Sequence, residues 1–285
     1  MQFVNNFILT DFNAYRINAV CVKAWFPETE ENFIEIYRQN PKTQKIILGN
    51  GNNIILSKEY YEEEFIILNG CFNKIEVKNT EIIAEAGSTL LQVSETALEH
   101  NLSGFEIFYD IPGSVGGAVV MNAGTKEGEI KDLITKVRYL DLADMRIKEM
   151  NNKEIGFGYR NSFFQRNADQ IVLKAWFRLE PGNYKKIKEK MEQTKQIRWA
   201  KQPREFPNCG SVFKRPPGHF VGPMIDELGL KGFSVGDAKI SEKHSGFIVN
   251  TGNATGKDIM AVISEVQKRV REKFGIDLEI EQRIL

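Results

Sequence analysis

The chain has 285 residues, 42% hydrophobic and 27% charged, with Lys+Arg and Asp+Glu at 38 each and a formal net charge of zero. That is enough chain for two or three domains with ample core, and the balanced charge argues against nucleic acid as a partner, since phosphate-binding domains usually carry a basic excess. No apolar run reaches the ~18 residues of a bilayer-spanning helix, so no membrane partner is expected. The start, "MQFVNNFILTDFNAYR", lacks the basic and long apolar parts of a signal peptide. Cys21, Cys71 and Cys209 are odd in number and far apart, which fits a reducing cytoplasm without a disulfide framework or metal site.

In chain order, Pro27 opens a helix over "PETEENFIEIYRQN", whose early acids suit the positive end of the helix dipole. After Pro41, "KIILGNGNNIILS" places two apolar β-type runs around "GNGNN", a sharp turn made of the residues that best tolerate positive φ. "EFIILNG", "KIEVKN" and "EIIAEAGS" are strand-like, and "STLLQVSETALEHN" is a helix capped by Ser88 or Thr89. "YDIPGSVGGAVVMNAG" is apolar enough for a buried strand but is broken by four glycines. "ITKVRYLDLADMRIKEMN" reads as a hairpin turning near "LADM", and "DQIVLKAWFRLE" as a further strand. "NYKKIKEKMEQTKQIRWAKQP" is a charged helix ending at Pro203, and "GPMIDELGLKGF" a short helix closed by Gly229. In the helix from about Thr255 to Phe274, Ile259, Val262, Ile263, Val266 and Val270 share one face. A short strand, "DLEIEQRIL", closes the chain. Strands and helices mix without regular βαβ alternation, which predicts an α+β fold.

The two glycine-rich segments lack the GxxxxGK[ST] spacing of a P-loop and the GxGxxG-helix arrangement of a dinucleotide crossover. Glycine within such a run costs stability, so the pattern predicts close approach of the backbone to a ligand, with turn amides meeting phosphate oxygens.

"LGNGNNIILS", "IPGSVGGAVVMNAG", "GYRNSFF", "CGSVFK", "AKISEKHSGFIVNTGNAT" and "LEIEQR" occur in that order along nearly the whole chain. Together they resemble the UDP-N-acetylenolpyruvoylglucosamine reductases, in the shorter type that lacks a substrate-covering insertion. The resemblance implies a p-cresol methylhydroxylase-type FAD-binding region in two subdomains, residues 1–65 and 66–195, and a C-terminal α+β substrate domain, 196–285. It implies non-covalent FAD, NADPH as reductant, and reduction of UDP-N-acetylglucosamine enolpyruvate to UDP-N-acetylmuramate for peptidoglycan.

The cofactor contacts implied by the resemblance are Gly49, Asn50, Gly51, Asn52 and Asn53 in the first segment. In the second they are Gly113, Ser114, Val115, Gly116 and Gly117, then Asn122, Ala123 and Gly124. A Cβ at Gly116 or Gly117 would hold the backbone off the flavin. Arg160 would hold the substrate carboxylate in its planar fork, Ser211 would protonate the α-carbon, and Glu281 would stand near the enolate, protonated when working. Strand alternation puts Glu279 on the same face as Glu281, and only the E-x-R match favours Glu281. Tyr159, Lys214 and Arg283 are the implied substrate contacts.

The chain departs from the family pattern at several points. Asp110 stands where glycine is common, Thr125-Lys126 replaces a small-plus-aromatic pair, Arg215-Pro216 replaces Asn-Pro, and Gln282 stands where valine is usual. Two alternatives stay open: an FAD-dependent oxidase on the same scaffold, and a non-catalytic flavin-binding protein. The oxidase reading is weakened by the lack of histidine in both glycine segments.

Overall fold

The computed structural model describes residues 1–285. Its first unit comprises Met1–Val4, Ala24–Asn50 and Glu64–Arg198, and its second Asn5–Lys23, Gly51–Glu63 and Trp199–Leu285. Strands and helices are mixed without a repeating crossover, so the chain is α+β.

The first unit is organised by a five-stranded antiparallel sheet in the order Arg146–Asn151, Ile134–Asp141, Gln170–Arg178, Glu81–Glu85, Ile75–Lys78. The hairpin expected at "LADM" is present, with Asp141 paired to Arg146. Gln170–Arg178 is buried along most of its length because it is central in the sheet and carries the helix Val115–Met121. Phe105 packs against Phe108 and Phe177 at ring-centroid distances of 5.0 and 5.1 Å. A parallel pairing joins Lys45–Leu48 to Glu64–Ile67 and delivers Gly49 at its end.

Two local readings change. The run after Tyr109 folds as a helix, Val115–Met121, and not as a strand. Its buried Val115, Gly116, Ala118 and Val119 follow the 3.6-residue period, Ser114 caps its start, and Asn122 ends it at φ +45°. The helix assigned from Pro27 begins only at Glu30, where the Thr29 amide donates to Asn32 Oδ1 at 3.3 Å.

The second unit is built on the helix Gly256–Phe274. Thr255 Oγ1 accepts from the Asp258 amide at 3.1 Å, and Asp258 Oδ2 accepts from the Thr255 amide at 2.8 Å, a reciprocal cap. Ile259, Val262, Ile263, Val266 and Val270 are all buried, each side chain contributing roughly 1.5–3 kcal/mol of transfer free energy. The helix packs on Ser234–Val235 and Ala238–Ile240, which continue antiparallel into Ile248–Asn250. Arg283–Ile284 pairs in parallel with Ile54–Ile55. The strands flanking "GNGNN" therefore do not pair with each other.

Candidate active site

Gly49 follows its strand directly and faces Ser114, so tightly that any Cβ on Gly49 would overlap Ser114 Oγ. The two glycine segments of the first unit thus meet with only the Ser114 side chain between their backbones at that point. The next residue, Asn50, has a buried Oδ1 that accepts no hydrogen bond. A buried acceptor without a donor costs about 1–3 kcal/mol, which marks this atom as one awaiting a partner.

In the second segment, Gly113 adopts φ +152°, a conformation open to glycine, and an added Cβ there meets nothing within 4 Å. Ser114 Oγ accepts the Gly117 amide at 3.3 Å. The amides of Val115 and Gly116 are occupied by the carbonyls of Ser88 at 2.8 Å and Ala86 at 2.9 Å, so these two hold the helix to the protein. The glycines at 116 and 117 also have different reasons. A Cβ on Gly116 would stand 2.9 Å from Ala86 Cβ, so packing alone demands glycine there. Gly117 is exposed, and its Cβ would touch only Ser114 Oγ at an ordinary 3.4 Å. No neighbouring protein atom excludes a side chain from Gly117. The bare backbone at Gly113 and Gly117 fits a flat cofactor laid along this face, and the orphan acceptor of Asn50 fits a hydrogen-bond donor on it.

Asn122 is buried and spent internally. Its Nδ2 donates to the Gly158 carbonyl at 2.9 Å and to Glu129 Oε2 at 3.2 Å, and its Oδ1 accepts the Lys131 amide at 3.2 Å. Ala123 and Gly124 carry the chain into a two-residue ladder with Gly128–Glu129. "GYRNS" is a tight turn closed by reciprocal bonds between Gly158 and Asn161, and Ser162 Oγ donates to the Val120 carbonyl at 2.7 Å. Arg160 sits at the turn with φ +49°. Non-glycine residues in that region cost on the order of 1 kcal/mol or more and concentrate at functional sites. Its guanidinium donates to the carbonyls of Gly124 at 3.0 Å and Asn122 at 3.4 Å. The half-exposed ring of Tyr159 lies 5.2 Å from Arg160 Cζ.

In the second unit, Gly51 takes φ +66° against the Phe12 carbonyl, which leaves no room for a side chain. Asn52 is half-buried in the same turn. Asn53 ties the C-terminal segment: its Nδ2 donates to the Glu281 carbonyl at 3.2 Å and its carbonyl accepts the Arg283 amide at 2.9 Å.

Ser211 is exposed on a turn that Gly210 makes at φ +76°. It bridges to Phe247, the Val212 amide donates to the Gly246 carbonyl at 3.0 Å, and the Glu281 amide donates to the Val212 carbonyl at 2.8 Å. Ser211 and Glu281 therefore lie on adjacent extended segments of one unit, while Arg160 belongs to the other. Glu279 is separated from Glu281 by its partner: it is mostly exposed and pairs with Lys214 Nζ at 2.5 Å. Arg283 is exposed. Periodicity did not reveal Gln282, which is buried beneath Ser211, or Asp110, whose φ of +66° explains why glycine suits that position.

Residues 24–151 match the family described as FAD binding domain, which defines the chain as a flavoprotein. Residues 202–285 match the C-terminal domain of UDP-N-acetylenolpyruvoylglucosamine reductase. Reductases of that name from Caldanaerobacter subterraneus subsp. tengcongensis and Pediococcus pentosaceus are 46% and 44% identical to the chain over 91% of its length, covering 85% and 86% of their own. The crystal structure of the Thermus caldophilus reductase superposes with a TM-score of 0.83 at 32% identity, over 99% of this chain and 98% of that one. The chain belongs to the UDP-N-acetylenolpyruvoylglucosamine reductase family.

Proposed function

We propose that the protein is an FAD-containing reductase that uses NADPH to convert UDP-N-acetylglucosamine enolpyruvate to UDP-N-acetylmuramate in the cytoplasm. Family membership and the FAD binding domain support the reaction class. Its free cysteines suit a reducing compartment, and no helix is long and apolar enough to cross a membrane. Along the face of Asn50, Gly113 and Gly117 the protein would hold FAD, which, once reduced by NADPH, would supply hydride chemistry at the β-carbon of the enolpyruvyl group.

Hydride addition leaves carbanion character at the α-carbon, spread into the neighbouring carboxylate. The protein must hold that carboxylate and deliver one proton. Arg160 takes the first task. The observation that carries this reading is its guanidinium, hydrogen-bonded to Asn122 and Gly124 of the cofactor-binding segment and held there by a strained backbone. Ser211 takes the second, its hydroxyl exposed on a turn fixed by backbone bonds on both sides. Glu281, next to Val212 in the neighbouring segment, supports the developing charge as a protonated acid. Lys214 and Arg283 meet the nucleotide phosphates, with Lys214 exchanging Glu279 for the ligand, and Tyr159 packs on the substrate.

The test is product analysis. Incubation with NADPH and the enolpyruvate should consume both and yield a product heavier by two hydrogens, with deuterium incorporated at the α-carbon when the reaction is run in deuterium oxide. NADPH consumption that needs oxygen and leaves the enolpyruvate unchanged would contradict the proposal.

A further inference from the structure

Gln282 is 3% exposed and lies between two structures of the second unit. Its Oε1 accepts from the hydroxyl of the fully buried Tyr15 at 3.0 Å. That bond fixes the amide orientation, so the NH2 group must face the other way. There it donates to the Cys209 carbonyl at 3.1 Å and lies 3.4 and 3.5 Å from the carbonyls of Gly210 and Ser211. Tyr15 is itself anchored: its carbonyl accepts Asn250 Nδ2 at 2.8 Å, and Asn250 Oδ1 accepts the amides of Gly252 and Ala254. A buried chain of hydrogen bonds thus runs from the Asn250 loop through Tyr15 and Gln282 to the turn that carries Ser211.

We propose that Gln282, oriented by Tyr15, is a positioning residue that holds the Ser211 turn in register for proton delivery. This rests on Ser211 being the proton donor of the proposed reaction. Backbone bonds hold the turn at Val212, which donates to the Gly246 carbonyl and accepts the Glu281 amide. Gln282 acts on its other side, where Gly210 at φ +76° has the widest backbone freedom and Ser211 is exposed. Burial pushes the Tyr15 hydroxyl well above its ordinary value, so it stays a donor at every working pH. Gln282 is buried at a bend of the C-terminal segment, next to the half-buried Glu281, and braces the serine from within.

The experiment separates the two half-reactions of the flavin-loaded enzyme in Gln282→Met, Tyr15→Phe and the double variant, with Ser211→Ala alongside. Reduction by NADPH should stay within about twofold of the parent. Reoxidation by UDP-N-acetylglucosamine enolpyruvate should slow about tenfold or more in Gln282→Met, the scale for a displaced reacting group, with a larger solvent deuterium isotope effect. The double variant should be no slower than Gln282→Met, because both changes break one chain. Equal losses in both half-reactions, or reoxidation at the parent rate, would overturn the proposal. If Gln282→Met does not fold, Gln282→Asn and Tyr15→Phe carry the same comparison and the same two outcomes. A parent enzyme that the enolpyruvate does not reoxidise would instead overturn the functional reading, and an unimpaired Ser211→Ala the role of the serine.

Discussion

The side chain of Ser114 presses on Gly49 and leaves no room there for a Cβ. This contact sets the end of the strand Lys45–Leu48 against the start of the helix Val115–Met121. Gly49→Ala should therefore be destabilised by about 1–3 kcal/mol, the usual cost of overpacking, and should lose flavin as well. Urea denaturation and the flavin-to-protein absorbance ratio measure both effects.

Gly116 and Gly117 should respond differently. Gly116→Val drives a side chain into Ala86 and should lose stability first, with flavin loss as a consequence. Gly117→Val meets no comparable obstacle in the protein. It should fold with a melting temperature close to the parent and hold little flavin. Full flavin occupancy in Gly117→Val would contradict the placement of the cofactor.

Arg160→Lys keeps the charge but loses the planar fork that spans the Asn122 and Gly124 carbonyls. Flavin content should be unchanged. Reoxidation by the enolpyruvate should fall about tenfold or more, corresponding to roughly 1.4 kcal/mol of lost transition-state binding. Stopped-flow traces of the two half-reactions distinguish this outcome from a general loss.

Acid should weaken the second unit through His244. Burial lowers its pKa below the ordinary 6.5, and its Nδ1 accepts the Gly246 amide at 3.1 Å, a bond only the neutral ring can make. The unfolded chain therefore takes up the proton first. The stabilisation is fully present above 6.5 and is lost as pH falls from there to the folded value. His244→Gln should flatten that limb of a plot of urea midpoint against pH, while an unchanged slope would remove His244 as its cause.

The cysteines should be inert in the native state. Burial pushes Cys209 up to about 12 and Cys21 up to about 11. Half-buried Cys71 is likewise raised, to about 11. A thiol reagent at neutral pH should react slowly with the folded protein and rapidly with three thiols in urea.

Elements whose pattern is local were legible in the sequence. The apolar face of Ile259–Val270, the turn at Asp141–Arg146 and a cap at Ser88 or Thr89, which the structure gives to Thr89, each follow from a few neighbouring residues. The segment after Tyr109 was not, because glycines interrupt its period and its helix depends on Ala86 and Ser88, over two dozen residues earlier. The union of Gly51–Glu63 with the C-terminal third was also hidden, since it rests on the parallel pairing of Ile54 with Arg283. The motifs named Arg160, Ser211 and Glu281 as candidates. They did not show that Arg160 has positive φ, that Glu279 is taken by Lys214, or that Gln282 braces Ser211. Each of those is a tertiary relation that residue spacing does not encode.

The central claim is that this flavoprotein passes reducing equivalents from NADPH to an enolpyruvyl ether. It is tested most directly by following the flavin colour of the purified protein under nitrogen. NADPH should bleach it, and UDP-N-acetylglucosamine enolpyruvate should then restore it without oxygen. Bleached enzyme that regains colour only in air, or flavin that NADPH never reduces, would contradict the account.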